Sequence, residues 1–447
     1  MSDAIESRSK GWVPVREALS RDDLGNPTGL AVFLVDEAVS SAGMLDRLVD
    51  QVEYLGFDTL AARKLSKREQ DAVAAQPWVA RSIRRSFSPA VALVGFDLEP
   101  VAPTPQQSRE AIGLDNRWLF GIERAITHRV IKIRPEVKSR PIILATRNAD
   151  EARQAIDLLL PEEWARLGRE IQRTRDQYAT PLPVIRRLGG YGRRAKVELV
   201  EYEGRMAVCK TFRPGRERFL ERELVAHLEL SRGIPEIPPA LAYGPNWLLT
   251  PYYENTLRVR RRGLRLLPLD IAKRLLEILE QVYEAGYAHL DLQVKNVIVD
   301  RKDGLKLLDF EHLYRYEQVP RCFEASFDLA GAPAGLKGDL PGGPLRSVEP
   351  LPSTYVLRLE EHVGLSLRSL RNDPEWLQHL KRAFFVLTGR TPQLLRWLAR
   401  RAARTIYSYG IATKHVATRG RSRGTWRSSP AAAGEGAVKV GTLHKSN

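Results

Sequence analysis

The stretch YAHLDLQVKNVIVDRKDGLKLLDFEHLY, residues 287–314, contains a short loop, two strand-like runs and a carboxylate at the end of the second run. The Asp-Gly pair that begins at Asp303 predicts a tight turn, so the two runs form a β-hairpin. The loop before the hairpin carries Asp291 and Asn296, and the hairpin ends at Asp309. The 18-residue step between the two aspartates is the length that a loop and one hairpin need to bring both carboxylates together. The segment therefore predicts a polar site built from these three side chains.

A glycine-rich hairpin lies upstream in LGGYGRRAKVELVEYEGRMAVCKTF, residues 188–212. Gly189, Gly190 and Gly192 precede two strand-like runs, and the second run ends near Lys210. Glycines let backbone N–H groups approach phosphate oxygens, and a lysine at this place can pair with the α- and β-phosphates of a nucleotide. Taken alone, the segment also fits an ordinary turn.

An amphipathic helix is predicted over residues 216–230, in RERFLERELVAHLEL. Glu217, Glu221 and Glu223 of this helix are each a candidate to hold the lysine of the preceding strand in an ion pair. We favour Glu223 because of its spacing from Leu230.

The apolar strand WLLTPYYENTL, residues 247–257, breaks at Pro251. A break of this kind is consistent with a hinge whose backbone, at Pro251 and Tyr252, would meet the edge of an adenine ring. An ordinary strand followed by a turn is the alternative for these residues.

Taken in order, the four segments resemble the protein-kinase family. HLDLQVKN, residues 289–296, resembles the catalytic loop H-R-D-x-x-x-x-N, and LLDFE, residues 307–311, resembles the D-F-G segment. The resemblance implies that Asp291 is the base that orients the acceptor hydroxyl. It also implies that ATP and Mg²⁺ bind here, with Asn296 and Asp309 as metal ligands.

The resemblance covers about residues 184–330 and includes several departures from the family pattern. Leu290 stands where regulated protein kinases carry the arginine that receives a phosphorylated activation loop, so we do not expect control of that kind. Gln293 stands where Ser/Thr kinases carry lysine, and Lys295 is its candidate replacement. Glu311 replaces the D-F-G glycine and adds a carboxylate beside the metal ligands. These departures are similar to those of bacterial kinases that phosphorylate lipopolysaccharide sugars.

The resemblance implies an α+β protein with a two-lobed protein-kinase-like domain, its N-lobe over 184–254 and a reduced C-lobe over 255–417. It implies an ATP- and Mg²⁺-dependent phosphotransferase whose acceptor is a non-protein hydroxyl, such as a saccharide of a surface glycan or a lipid-linked sugar. Two alternatives stay open. One is a pseudokinase that serves as a nucleotide-binding scaffold, and the other is a Ser/Thr protein kinase.

A repeated strand–helix pattern precedes this region and predicts a small α/β domain over 28–172, of the ferredoxin-like sandwich kind. Its predicted strands are GLAVFLVDE, FDTLAARKL, AVALVGFDL and PIILATRN. Asn148 is the predicted N-cap of the last helix of the domain. Residues 1–27 read as a flexible lead-in, and the polar segment 173–183, which ends in PLP, reads as a linker.

The same domain resembles the nucleoside diphosphate kinase fold through SRPIILATRNADEA, residues 139–152, which is similar to that family's active-site strand and following helix. Leu144 stands at the position of the family's phosphorylated histidine, and the segment LVDEAV lacks its phosphate-binding lysine. The resemblance therefore implies a domain that has lost this chemistry and serves nucleotide binding or assembly. An unrelated α/β domain is the alternative.

The formal net charge of +16 is concentrated near the C-terminus, where residues 376–434 contain twelve lysines and arginines and no acidic residue. QLLRWLARRAARTIYSYG, residues 393–410, has an apolar and a cationic side at helical spacing, which predicts contact of the basic region 381–427 with an anionic membrane surface. A helix packed on the kinase lobe is the alternative. Arginines within 258–265 predict an anionic or lipid-linked acceptor, and nucleic acid is not expected. Residues 418–447 read as a disordered tail.

Two further features concern location. The chain has no apolar run of the roughly 18 residues that a membrane span needs, and its opening residues lack the pattern of a signal peptide. Cys209 and Cys322 lack the spacing of a metal site. We therefore expect a cytoplasmic protein at the inner face of the membrane. The sequence predicts no particular oligomeric state.

Overall fold

The computed structural model describes residues 29–41, 43–80, 87–133, 142–189, 193–257, 266–336, 339–343, 345 and 350–388. The predicted lead-in (1–27), the arginines of 258–265, the amphipathic segment 393–410 and the predicted tail (418–447) lie outside these ranges. The described residues form both helices and strands, in agreement with the predicted α+β class. One compact unit ends at Arg382, and the elements below belong to it.

The N-terminal part of the chain forms a four-stranded sheet. Its strands are β1 (Leu30–Asp36), β2 (Asp58–Lys64), β3 (Pro89–Phe96) and β4 (Ile143–Ala145). They lie in the order β2-β3-β1-β4, and every neighbouring pair is antiparallel. The first two predicted strands, β1 and β2, are therefore separated by β3.

Helices cover both faces of this sheet. They are α1 (Glu37–Ser41), α2 (Leu45–Tyr54), α3 (Lys67–Ala74), α4 (Pro77–Ala80), α5 (Pro105–Glu110), α6 (Ile122–Ile133), α7 (Ala149–Leu159) and α8 (Trp164–Gln177). One face packs on α2 and α6 through Leu48 and Ile126, and the other packs on α3, α7 and α8 through Val73, Ile156 and Ile171. The domain thus has three layers, one more than the two-layer ferredoxin-like sandwich that the sequence predicted.

The burial of β1 explains its composition. Leu30 and Val32 belong to the core on one face, whereas Ala31 and Phe33 belong to the core on the other. A strand buried on both faces reads as a continuous apolar run rather than as an alternation of apolar and polar residues. Beyond the sheet, Asn148 caps α7 as predicted, because its side chain accepts the backbone N–H of Glu151 at 2.9 Å.

The helix α8 extends into the segment predicted as a linker, residues 173–183. It ends at Gln177, and Leu167, Ile171 and Thr174 are buried along one side of it. The linker prediction is therefore wrong for its first five residues, because the polar residues of the exposed face concealed the helical period. The connection to the next sheet is shorter than predicted.

The second part of the chain begins with a five-stranded antiparallel sheet. Its strands are β5 (Val184–Arg187), β6 (Ala195–Tyr202), β7 (Arg205–Phe212), β8 (Ala242–Tyr243) and β9 (Trp247–Pro251). They lie in the order β5-β6-β7-β9-β8. Helix α9 (Glu217–Leu224) continues into a wider helical turn at Val225–Glu229, and Phe219 and Leu220 pack against Phe212 and Leu248 of the sheet.

A mainly helical part follows the sheet. Its elements are α10 (Leu269–Glu284), β10 (Tyr287–Ala288), β11 (Val297–Asp300), β12 (Gly304–Leu307), β13 (Tyr314–Arg315), α11 (Glu360–Val363) and α12 (Leu367–Asn372). β11 and β12 form the predicted hairpin. Ile278 and Leu279 of α10 share a core with Leu307 and Phe310, so this core supports the residues that follow β12. None of the helices in the described ranges is long and apolar enough to cross a membrane.

A buried ion pair joins the two sheets. Arg213, directly after β7, donates to the Asp97 carboxylate at 3.0 Å and to the Gly56 carbonyl oxygen at 2.6 Å. The Arg213 and Asp97 side chains are only 2% and 1% exposed. Asp97 also accepts a hydrogen bond from Asn116 at 2.9 Å. Because both charges are paired and hydrogen-bonded, the contact fixes how the first sheet meets the second.

Arg213→Ala is expected to lower the free energy of unfolding by about 3–5 kcal/mol, because Asp97 would remain buried without its partner. Urea denaturation measures the change. Lys67→Ala is the control: it removes an ion pair with Asp71 in which both side chains are exposed, so it should cost less than about 1 kcal/mol. Equal losses in the two variants would contradict the role given to Arg213.

Candidate functional site

The side chain of Lys210 lies among three carboxylates. Its ammonium nitrogen is 2.6 Å from Glu223 Oε1, 3.0 Å from Asp309 Oδ1 and 2.8 Å from Glu311 Oε1. Lys210 belongs to β7 and Glu223 to α9, whereas Asp309 and Glu311 follow β12. Glu223, the candidate favoured from the sequence, is thus the α9 carboxylate that pairs with this lysine. The ammonium connects a strand, a helix and a hairpin.

The charges of this cluster stabilise one another. Burial alone would lower the pKa of the Lys210 ammonium, but the carboxylates of Asp309, Glu223 and Glu311 outweigh it and hold that pKa well above its usual value. Burial alone would raise the pKa of Glu223, but the charge of Lys210 and the hydrogen bond to His227 leave that pKa below its usual value. Burial also acts to raise the pKa of Asp309, but the charge and hydrogen bond of Lys210, together with the charges of Lys295 and Arg194, leave that pKa below its usual value. These directions keep Lys210, Glu223 and Asp309 charged at neutral pH.

Asp328 holds the loop that carries Asp291. Its carboxylate accepts the backbone N–H groups of His289 and Leu290, both at 2.8 Å. Leu290 has a φ of 59°, a left-handed conformation that costs free energy in a non-glycine residue. The two hydrogen bonds hold this strained turn in place. Gln293 then orients Asp291 by donating from Nε2 to Asp291 Oδ2 at 2.7 Å.

The other strained residue of the site is Asp309, which has a φ of 70°. The neighbouring Phe310 is fully buried, and its ring centroid lies 4.8 Å from that of His289 and 5.8 Å from that of His227. These packed rings connect the loop before β11 to the helical turn after α9. Backbone strain persists only where the surrounding structure enforces it, and it is common at functional sites.

A cavity of about 540 Å³ lies between the five-stranded sheet and the β11–β12 hairpin. Val197, Val208 and Leu248 of the sheet and Ile298 of the hairpin give it apolar walls, and Lys210 and its carboxylate partners also line it. Its volume falls within the range of small-molecule sites, which combine apolar walls with a few charged groups.

Most of the residues predicted to bind ATP and metal line this cavity. They are Gly189, Lys210, Glu223, Pro251, Tyr252, Asn296 and Asp309. Asp291 is not among the lining residues, but its backbone carbonyl accepts a hydrogen bond from the Asn296 side-chain amide at 3.4 Å. Gly190 and Gly192 lie outside the described residues. The roles assigned to all of these residues stay predictions.

Asn296 and Asp309 are the lining residues whose chemistry fits a magnesium ion, because Mg²⁺ takes oxygen ligands such as carboxylates and amide carbonyls. Glu223, Asp309 and Glu311 also bring carboxylate oxygens within 4.8 Å of one another. The Lys210 ammonium already contacts all three, and Arg194 also pairs with Glu311. We therefore assign Glu223 and Glu311 to Lys210 rather than to a metal.

Sequence reasoning missed several residues of the site. Asp328 lies outside the four recognised segments. Arg194 lies within the glycine-rich segment, next to more conspicuous residues, and no sequence pattern marks either residue. His227 follows Glu223 by one helical turn, so helical spacing could have identified it as a neighbour of that carboxylate. Glu311 was expected beside the metal ligands, and in the structure it pairs with Lys210 and Arg194.

No protein-family model matches the chain, and no curated protein is significantly similar to it. The chemistry of the site's own residues and their contacts is therefore what indicates a function.

Asp328→Ala is expected to lower the free energy of unfolding by about 2–5 kcal/mol, because two buried N–H groups would lose their acceptor. Asp150→Ala, at an exposed aspartate, is the matched control and should cost less than about 1 kcal/mol. Chemical denaturation of both variants measures the difference. A loss as small as that of the control would mean that Asp328 does not hold the loop.

Proposed function

We propose that this protein is an atypical kinase that binds ATP with Mg²⁺ and transfers the γ-phosphoryl group to a hydroxyl group. One observation carries the proposal: Lys210, Asn296 and Asp309 come from separate parts of the sequence and line one cavity. Catalysis of phosphoryl transfer consists mainly of positioning the reactants and stabilising charge. A lysine, an amide and a carboxylate around one cavity supply what this chemistry requires.

The arrangement of the elements supports a two-lobed protein-kinase-like fold. A five-stranded antiparallel sheet with α9 precedes a mainly helical part, and the cavity lies between the sheet and the β11–β12 hairpin. In the four-stranded domain, Leu144 is buried in the core and carries no reactive group. We therefore place the phosphoryl-transfer chemistry in the second part of the chain and give the first part no chemistry of its own.

The walls of the cavity suit the two ends of a nucleotide. The apolar side chains of Val197, Val208 and Leu248 form a surface for the adenine ring, and the backbone beside Tyr252 meets its polar edge. Lys210 contacts the α- and β-phosphates, and Glu223 keeps the lysine aimed at them. This division places the charged phosphates where the protein presents cations.

Asn296 and Asp309 would hold the metal ion. Bound Mg²⁺ supplies positive charge that offsets the charge developing on the phosphate oxygens. Asp291 accepts a hydrogen bond from the acceptor hydroxyl and orients it. The hydroxyl oxygen forms a bond to the γ-phosphorus as the bond from that phosphorus to the β–γ bridging oxygen breaks. The hydroxyl proton passes to Asp291, and ADP leaves.

The departures of the site from regulated protein kinases favour a non-protein acceptor. Leu290 offers no charge to a phosphorylated activation loop, and Gln293 donates to Asp291 where Ser/Thr kinases use lysine. We propose a saccharide of a surface glycan or a lipid-linked sugar, reached at the cytoplasmic face of a membrane. The absence of acidic residues over 376–434, with twelve basic ones, favours an anionic membrane surface or an anionic acceptor.

The test is transfer of label from γ-labelled ATP with Mg²⁺ by the purified protein, alone, with a cell glycolipid extract and with a protein mixture. We expect label in the glycolipid fraction and none with Asp309→Ala, which lacks a metal ligand. Label on serine or threonine would favour the Ser/Thr protein kinase. Binding of ATP without any transfer would favour the nucleotide-binding scaffold and overturn the proposal.

Asp291→Ala is expected to reduce label transfer at least about 100-fold while ATP still binds, because the residue orients the hydroxyl and contacts no part of ATP. Asp303→Ala, in the exposed hairpin turn, is the matched control and should transfer label at the wild-type rate. A rate for Asp291→Ala within about tenfold of wild type would contradict the role of this carboxylate.

A further inference from the structure

Glu311 stands where a kinase-like site carries glycine, and it brings a buried carboxylate into the cavity. The residue is 6% exposed. One carboxylate oxygen contacts Lys210 Nζ at 2.8 Å, and the other accepts a hydrogen bond from Arg194 Nε. Without Arg194, the three carboxylates of Glu223, Asp309 and Glu311 would face Lys210 and the more distant Lys295, which lies 4.0 Å from Asp309. The site thus holds one negative charge more than a glycine in place of Glu311 would leave.

Arg194 is held in place on several sides. Its guanidinium lies 5.2 Å from the ring centroid of Phe219 on α9 and 5.4 Å from that of Tyr54 on α2. Its backbone carbonyl accepts the N–H of Arg213 at 2.8 Å, and Arg213 is the residue anchored to Asp97. The side chain itself is 19% exposed. Packing between two rings and a fixed backbone orient this guanidinium towards Glu311.

The position of Arg194 matters for the nucleotide because it also lines the cavity. If Arg194 were removed, both oxygens of Glu311 would turn to Lys210, the cation assigned to the phosphates. The unpaired carboxylate would also repel those phosphates across a site of low dielectric constant. A buried carboxylate beside a phosphate site is tolerable only with a cation of its own.

We propose that Arg194 is a positioning residue that neutralises Glu311 and thereby leaves Lys210 to bind the phosphates of the nucleotide. The inference rests on the proposed nucleotide site and extends it to a residue that contacts Lys210 only through Glu311. It also gives the four-stranded domain a part in the site, because Tyr54 supplies one of the two rings that hold Arg194. Tyr54 is itself fixed, since its hydroxyl accepts the backbone N–H of Gly342 at 2.7 Å.

The test compares ATP affinity, measured by calorimetric titration with Mg²⁺ present, for the full chain and its variants. Arg194→Ala should weaken binding at least about tenfold, because Glu311 then competes for Lys210. Glu311→Gln should bind ATP as tightly as wild type or more tightly. The double variant Arg194→Ala/Glu311→Gln should recover to within about threefold of wild type, because the charge that needs Arg194 is gone. This recovery separates charge neutralisation from a merely structural role.

Two further variants complete the test. Arg274→Ala removes an arginine that pairs with Glu236 and Glu277 and does not line the cavity, and it should leave ATP affinity unchanged. Arg194→Lys keeps the charge without the planar group, and its ATP affinity should fall between those of wild type and Arg194→Ala. If the alanine variant does not fold, Arg194→Lys takes its place, alone and combined with Glu311→Gln.

Wild-type ATP affinity in Arg194→Ala, or a loss that the second substitution does not recover, would overturn the inference while leaving the proposed function standing. Tight ATP binding without label transfer to any acceptor would overturn the proposed function, and the binding measurements on Arg194 would still decide the inference.

Discussion

The contact of one ammonium group with three carboxylates determines the rest of the site. Lys210 can lie beside Glu223, Asp309 and Glu311 only if β7, α9 and the segment after β12 meet at one place. Each of these charges would be costly to bury alone, so the lysine and its carboxylate partners stabilise one another. The cluster therefore makes the sheet, the helix and the hairpin depend on one another, and the cavity lies where they meet.

The strain in the site depends on the same convergence. Leu290 and Asp309 both have positive φ, and they lie in the loop before β11 and after β12. Asp328 holds the first by two backbone hydrogen bonds, and the Lys210 ion pair holds the second. The four-stranded domain contributes through the buried pair of Arg213 and Asp97, which fixes the backbone next to Arg194. The four-stranded domain is thus part of what orients the residues around the cavity.

Local sequence patterns predicted the elements that carry the site more accurately than they predicted the neighbouring parts of the chain. The Asp-Gly turn and the 18-residue spacing predicted the hairpin that carries Asp309, and the amphipathic pattern predicted α9 and its glutamates. The end of α8 was missed because its exposed face is polar up to Gln177. Asp328 and Arg194 could not be identified, because each acts on residues far away in the sequence through contacts that no local periodicity records. Local patterns could not predict the order of the strands within each sheet either, because packing decides which strands pair.

We propose that Lys210 and its partners form a site for the phosphates of ATP. The most direct test of this proposal is a calorimetric titration of ATP with Mg²⁺ into the wild-type protein and into Lys210→Met, with thermal unfolding used to show that both are folded. The account predicts one binding site in the wild type and affinity at least about tenfold weaker in the variant, because the phosphates lose their cation. No binding to the wild type, or equal affinity in the two proteins, would contradict it.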